Sequence, residues 1–172
     1  AFKKIYKVKM TPEEELDFTL SLGADVPYCM KNVPARVQGI GERITPIECK
    51  NQFQVIIIKP KLGLFTKKVF DASDGFVLDH GNINAVIDAL ATGDEEALGK
   101  AMFNSLEKVS ISLVPEIQEI KDMLYRDGFK CVLMTGSGSC VFALTTNKTL
   151  AFTKYNKYDR KGYDVILTKT LR

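Results

Sequence analysis

From residue 53 onward the sequence predicts an α+β domain whose elements run β-α-β-β-α-β. Three observations carry that order. The run Gln54-Val55-Ile56-Ile57-Ile58-Lys59 is rich in β-branched residues and ends at Pro60, which reads as a strand buried on both faces. Apolar residues at the helical period fill the stretches from Asn82 to about Glu107 and from Pro115 to Gly128. Two short apolar runs, Cys131-Val132-Leu133 and Val141-Phe142-Ala143-Leu144, then flank Thr135-Gly136-Ser137-Gly138-Ser139 as strands around a glycine loop. With a helix near Leu150–Tyr158 and a last strand at Tyr163–Thr168, the pattern is the ferredoxin-like split arrangement, an antiparallel sheet with helices on one face.

Residues 1–52 predict two helices and a hairpin, too little apolar surface for a domain of their own. The chain opens Ala1-Phe2-Lys3-Lys4-Ile5-Tyr6, with Phe2, Ile5 and Tyr6 on one helical face. A chain that starts inside an amphipathic helix reads as one from which an N-terminal segment is missing. Thr11-Pro12-Glu13-Glu14 is a helix start, with Thr11 as cap, Pro12 in the first turn and Glu14 closing a capping box. Leu16, Leu20 and one of Phe18 and Leu22 are its expected apolar contacts, and Gly23 its stop. Asp25 follows in a turn, just before Val26-Pro27, and residues 35–47 alternate as strands about Gly39-Ile40-Gly41-Glu42.

Further along, residues 61–81 read as loop with a short helix around Thr66–Phe70. The periodic stretch after Asn82 divides at Gly93-Asp94 into two helices, with Asp94 capping the second and Asn104 near its end. Pro115-Glu116 opens another helix, whose Ile117, Ile120, Met123 and Leu124 keep the 3.6-residue period.

Composition narrows the function. The 172 residues are 45% hydrophobic and 26% charged, the balance of a soluble globular protein. Twenty-four basic and 21 acidic residues are interspersed, for a net charge of +3, which leaves no nucleic-acid footprint. No apolar run approaches the roughly 20 residues of a membrane span. The four cysteines, Cys29, Cys49, Cys131 and Cys140, keep no metal-ligand spacing and read as buried thiols of a reducing cytoplasm. The single histidine, His80, leaves out most histidine-based triads and zinc sites.

The glycine loop is the first chemical signal. Two glycines and small hydroxyl side chains let backbone N–H groups approach an anion such as a phosphate, although a plain hairpin turn is an equally ordinary use of Gly-Ser-Gly. Asp25, from its residues alone, is either a solvated turn carboxylate or a base.

Leu22-Gly23-Ala24-Asp25-Val26-Pro27, then Gly39-Ile40-Gly41-Glu42, then Asn104-Ser105-Leu106-Glu107 ahead of Pro115-Glu116-Ile117, and finally Thr135-Gly136-Ser137-Gly138 stand in an order that resembles the GHMP small-molecule kinase family over nearly the whole chain. The resemblance implies a GHMP kinase C-terminal domain at 53–172. It implies that 1–52 is the remnant of an N-terminal, ribosomal-S5-like domain that is catalytic and ATP-binding. That domain's phosphate-binding glycine–serine loop and catalytic lysine have no counterpart here.

Carried over residue by residue, the resemblance makes Asp25 the catalytic carboxylate. It places Gly136, Ser137 and Gly138 at the nucleotide phosphate, with Thr135 and Ser139 as further hydroxyl donors to the substrate. Phe70 falls where the family places a ring against a cytosine, or else it is a core residue beside Val69. The implied cofactors are ATP and Mg2+, with no metal ligand assigned on this chain. The implied partner is a small alcohol, a cytidine-diphospho-methylerythritol, with no nucleic acid and no membrane, in a bacterial cytoplasm. Another member of the family, of homoserine, mevalonate or galactose type, is one alternative, and a non-catalytic ferredoxin-like ligand-binding module is a second.

Overall fold

The structure, a computed structural model, describes residues 8–171. The helix expected over the first six residues lies outside them. The chain forms two compact units, one ending at Glu48 and a larger one spanning Cys49–Thr170. The break therefore falls before Cys49 rather than after Gln52. Hydrogen bonds explain the difference: Lys50 N–H donates to Leu90 O at 3.0 Å, Asn51 Nδ2 to Gly93 O at 2.9 Å and Gln52 Nε2 to Thr170 O at 2.9 Å.

In the smaller unit, α1 (Pro12–Leu22) starts as its residues dictate. Glu14 N–H donates to Thr11 Oγ1 at 3.2 Å, and Thr11 N–H donates back to Glu14 Oε2 at 2.8 Å. Gly23 ends the helix with its N–H on Thr19 O and Leu20 O. Leu16 and Leu20 are half-buried, whereas Phe18 and Leu22 are exposed and Thr19 is the buried position. Thr19 is stable there because its hydroxyl donates back to Glu15 O and Leu16 O, at 2.8 and 2.9 Å. Residues after Asp25, expected as a turn, form a short helix α2 (Val26–Lys31) with Pro27 in its first turn. The hairpin β1 (Ala35–Gln38) and β2 (Arg43–Pro46) pairs Val37 with Ile44.

In the larger unit the order is β3 (Gln54–Lys59), α3 (Thr66–Ser73), α4 (Ile83–Thr92), α5 (Glu95–Ala101), α6 (Glu107–Leu113), α7 (Glu116–Arg126), β4 (Cys131–Met134), β5 (Val141–Thr145), α8 (Lys148–Arg160) and β6 (Asp164–Lys169). The strands lie β4-β5-β3-β6, all antiparallel, the split strand order that the element order predicts, but helices pack on both faces of the sheet rather than on one. Ile56, Ile58, Val132, Met134, Val141 and Ala143 share one face, where Ile117, Ile120 and Leu124 of α7 and Tyr158 of α8 complete the main core. Alternation puts Cys131 and Leu144 on the opposite face. There, with Phe53, they meet Ala89 of α4 and Leu98 of α5 in a second cluster.

Strand β3 is fully buried only on the Ile56–Ile58 side, since Val55 and Ile57 remain half-buried. Helix α6 and the break before it were not legible in the periodic stretch, and Asn104 consequently lies in a loop rather than on a helix. Of the four cysteines only Cys131 is buried, and Cys29 is exposed.

Candidate active site

The glycine loop joins β4 to β5 in the larger unit, and its backbone has a distinct polarity. Met134 O and Gly136 O both accept from Asn104 Nδ2, each at 2.9 Å. Thr135 O accepts from Gly138 N–H at 2.9 Å, and Ser137 O accepts from Ser110 Oγ at 3.0 Å. Every carbonyl from Met134 to Ser137 is thus bonded inside the protein. The N–H groups of Gly136, Ser137 and Ser139, by contrast, have no acceptor among the described residues. Bonded carbonyls from Met134 to Ser137 beside unbonded amides at Gly136 and Ser137 make this part of the loop suited to an anion.

Glycine is required at one point of this loop. Gly138 has φ +89°, and a Cβ there would meet Met134 Sδ at 2.8 Å and Leu64 Cδ1 at 3.3 Å. Thr135 and Gly136 are exposed, while Ser139 is buried and donates its hydroxyl to Leu62 O at 2.8 Å. The Ser139 side chain therefore fastens the segment before α3, and only its backbone N–H remains open.

Helix α3 meets the loop at its first residue. Thr66 Oγ1 and Ser137 Oγ lie 3.0 Å apart. Phe70 stands one helical turn on, at i+4, and so shares the Thr66 face. It is 54% exposed, whereas neighbouring Val69 is fully buried, so Val69 and not Phe70 fills the core. The loop and Phe70 are brought to one surface by Thr66.

Asp25 belongs to the smaller unit. It occupies the position before α2 with its side chain uncommitted to capping. The carboxylate is exposed and makes no hydrogen bond or ion pair among the described residues. The turn between β1 and β2 packs on the residue before it. Gly41, buried and with φ +110°, would place a Cβ 2.0 Å from Ala24 O. Glu42 closes the turn by accepting Ile40 N–H at 2.7 Å. Gly41 is thus needed where the chain runs into Asp25, a packing role that spacing alone does not reveal.

The contacts that sequence reasoning missed lie behind the loop. Glu107 accepts Met134 N–H at 2.9 Å through Oε2 and pairs through Oε1 with the largely buried Lys121. Tyr125 donates its hydroxyl to Val132 O at 3.1 Å. The stretch Asn104–Glu107 carries part of the signal, but placing Asn104 on a helix gives it no link to the loop.

Residues 86–164 match the family model described as GHMP kinases C terminal, and they lie within the larger unit, an α+β domain of an antiparallel sheet with helices. Among curated relatives, the 4-diphosphocytidyl-2-C-methyl-D-erythritol kinase of Clostridium novyi is 32% identical over 172 residues, covering 99% of this chain and 61% of its own length. A crystal structure of 4-(cytidine 5'-diphospho)-2C-methyl-D-erythritol kinase superposes with a TM-score of 0.79 at 26% identity, over 98% of this chain and 60% of that one. Homoserine kinase from Cytophaga hutchinsonii shares the fold, with a TM-score of 0.74 at 18% identity, over 99% of this chain and 61% of that one. The chain spans about 60% of the length of the curated relatives it matches.

Proposed function

We propose that this chain is part of an ATP-dependent kinase that phosphorylates the 2-hydroxyl of 4-diphosphocytidyl-2-C-methyl-D-erythritol, in non-mevalonate isoprenoid synthesis in a bacterial cytoplasm. The observation that carries the reading is the glycine loop, with the carbonyls of Met134 to Ser137 bonded inward and the amides of Gly136 and Ser137 open, beside an exposed aromatic ring on the Thr66 face. The relatives named for this reaction support the choice of substrate. The larger share of ATP contacts is assigned to the part of the relatives' length that this chain does not span, and the chain by itself is expected to be inactive.

Phosphoryl transfer needs positioning and charge stabilisation more than covalent help. In this reading the N–H groups of Gly136 and Ser137 donate to phosphate oxygens, with Thr135 adding a hydroxyl. Asp25 accepts the hydrogen bond of the substrate hydroxyl, orienting it and taking its proton. Phe70 stacks on the cytosine. The open amides fit an anionic phosphate chain. The Mg2+ that the reading implies would neutralise phosphate charge, and no residue of this chain is assigned to hold it.

Two variants of the full-length protein test this. Asp25→Asn should keep the fold and lower kcat by about 10²–10⁴-fold, the range for losing one general base. Phe70→Ala should raise KM for the cytidine substrate about 5- to 150-fold, from roughly 1–3 kcal/mol of lost stacking, while KM for ATP holds. An unchanged kcat in the first variant returns Asp25 to a solvated turn residue, and unchanged KM values in the second remove Phe70 from the site.

A further inference from the structure

We propose that Asn104 is a positioning residue that decides which way the peptides of the glycine loop face. This inference rests on the phosphoryl-transfer reading above and extends it to residues outside the loop. In a planar trans peptide the C=O and the N–H point to opposite sides. A donor that holds Gly136 O therefore aims the N–H of Ser137 the other way, and Asn104 Nδ2 is that donor, at 2.9 Å.

The loop needs such a hold. Gly136 and Gly138 both have positive φ, +55° and +89°, and glycines resist peptide rotation less than any other residue. A flipped Gly136–Ser137 peptide would present a carbonyl oxygen to a phosphate in place of an amide.

Asn104 is itself held on two sides. Its Oδ1 accepts Leu106 N–H at 3.0 Å, and its Nδ2 also reaches Met134 O at 2.9 Å, the last residue of β4. One amide side chain thus spans the end of the strand and the middle of the loop. Met134 is fixed a second time by Glu107, whose carboxylate takes the Met134 N–H and is anchored by Lys121. Ser110, one turn further along α6, holds Ser137 O. All of these donors and acceptors come from Asn104 and the α6–α7 hairpin, so the loop's polarity is set from behind by side chains that leave its front open.

The test uses the full-length protein with Asn104→Asp, Asn104→Ala and, as an independent probe of the same frame, Ser110→Ala. Asn104→Asp keeps the shape and the bond from Leu106 N–H but removes both donations and sets a carboxylate against two carbonyl oxygens. Two readouts are taken: hydrogen exchange at the Thr135 and Gly138 amides, the loop amides that carry hydrogen bonds, and steady-state kinetics. Exchange at those amides should quicken about tenfold or more in both Asn104 variants, with a smaller change in Ser110→Ala. In Asn104→Asp kcat should fall about 10²–10³-fold, the loss typical of one preorganised donor, with KM for the alcohol within about threefold of wild type.

Loop exchange equal to wild type in both Asn104 variants overturns the proposal. So does a wild-type kcat in an active enzyme carrying Asn104→Asp, or a loss shared equally by kcat and both KM values with a collapsed melting temperature. A wild-type protein that transfers no phosphoryl group from ATP defeats the kinase reading instead. In that event the exchange measurement alone decides the positioning claim, for faster exchange or against it for unchanged.

Discussion

Replacing Asp127 by Asn should remove the strongest polar tie between α7 and α8, and the structure supplies the magnitude. Asp127 follows the last residue of α7 with its side chain only 11% exposed. It accepts from Lys154 Nζ at 2.9 Å, from Lys157 Nζ at 2.7 Å on each oxygen, and from the hydroxyl of Tyr158 at 2.7 Å. Tyr158 is fully buried in the main core, so its hydroxyl depends on this acceptor. Burial pushes the Asp127 carboxyl up, but the hydrogen bonds from Lys157, Lys154 and Tyr158 outweigh it and bring the pKa from 3.8 down to about 2. At about 1.4 kcal/mol for each tenfold change in proton affinity, that drop is worth about 2 kcal/mol at neutral pH.

The sign follows from the direction. A carboxyl whose folded pKa is depressed stabilises the fold above its unfolded value, and the contribution is lost as pH falls from about 4 towards 2. Urea denaturation of this chain at pH 7 should show a loss of about 2–4 kcal/mol in Asp127→Asn, including the cost of a buried tyrosine hydroxyl and two lysines left short of an acceptor. The variant should also lack the part of the wild-type stability loss between about pH 4 and pH 2 that belongs to this group. A variant within about 0.5 kcal/mol of wild type at pH 7, or one that keeps the full acid slope, would refute the reasoning.

Gly41→Ala should strain the hairpin of the smaller unit, because a Cβ would overlap the Ala24 carbonyl and the backbone stands at positive φ. Amide exchange across β1 and β2 should quicken about 10- to 100-fold, or roughly 1.4–2.8 kcal/mol, and protection as in wild type would show that the turn yields freely. The thiols should separate by reactivity. Burial, with a smaller push from Glu95, raises the Cys131 pKa to about 12, and its Sγ donates to Glu95 O at 3.0 Å, whereas Cys29 is exposed. Iodoacetamide at pH 8 should therefore alkylate Cys29 in the folded chain and leave Cys131 unmodified until denaturant is added; rapid labelling of Cys131 without denaturant would contradict the second core cluster.

The sequence by itself determined most of what is local or periodic. Thr11 and Glu14 specify the start of α1 because a capping box is built from residues three apart. Pro60 ends β3 because it has no N–H to give. Ile117, Ile120 and Leu124 declare the buried face of α7 through a period that any helix must obey. The same locality exposed the glycine loop, since Gly136 and Gly138 between two apolar runs can hardly be other than a turn. The family resemblance rested on the order of such short stretches, and it led to the same C-terminal domain.

Other features were decided by residues distant in sequence. Phe70 and Val69 are adjacent apolar residues, and only the packing of α3 buries one and exposes the other. Asn104 looked like the end of a helix, because helical periodicity carries across Met102 to Glu107 although the backbone breaks there. What draws it out of the helix is a pair of carbonyl oxygens, those of Met134 and Gly136, some 30 residues further along. Cys49 to Gln52 join the larger unit through bonds to Leu90, Gly93 and Thr170 that no local pattern encodes. A periodicity records which side of an element is apolar; it does not record which backbone groups elsewhere lack a partner, and those missing partners are what place Asn104, Ser110 and Glu107 behind the loop.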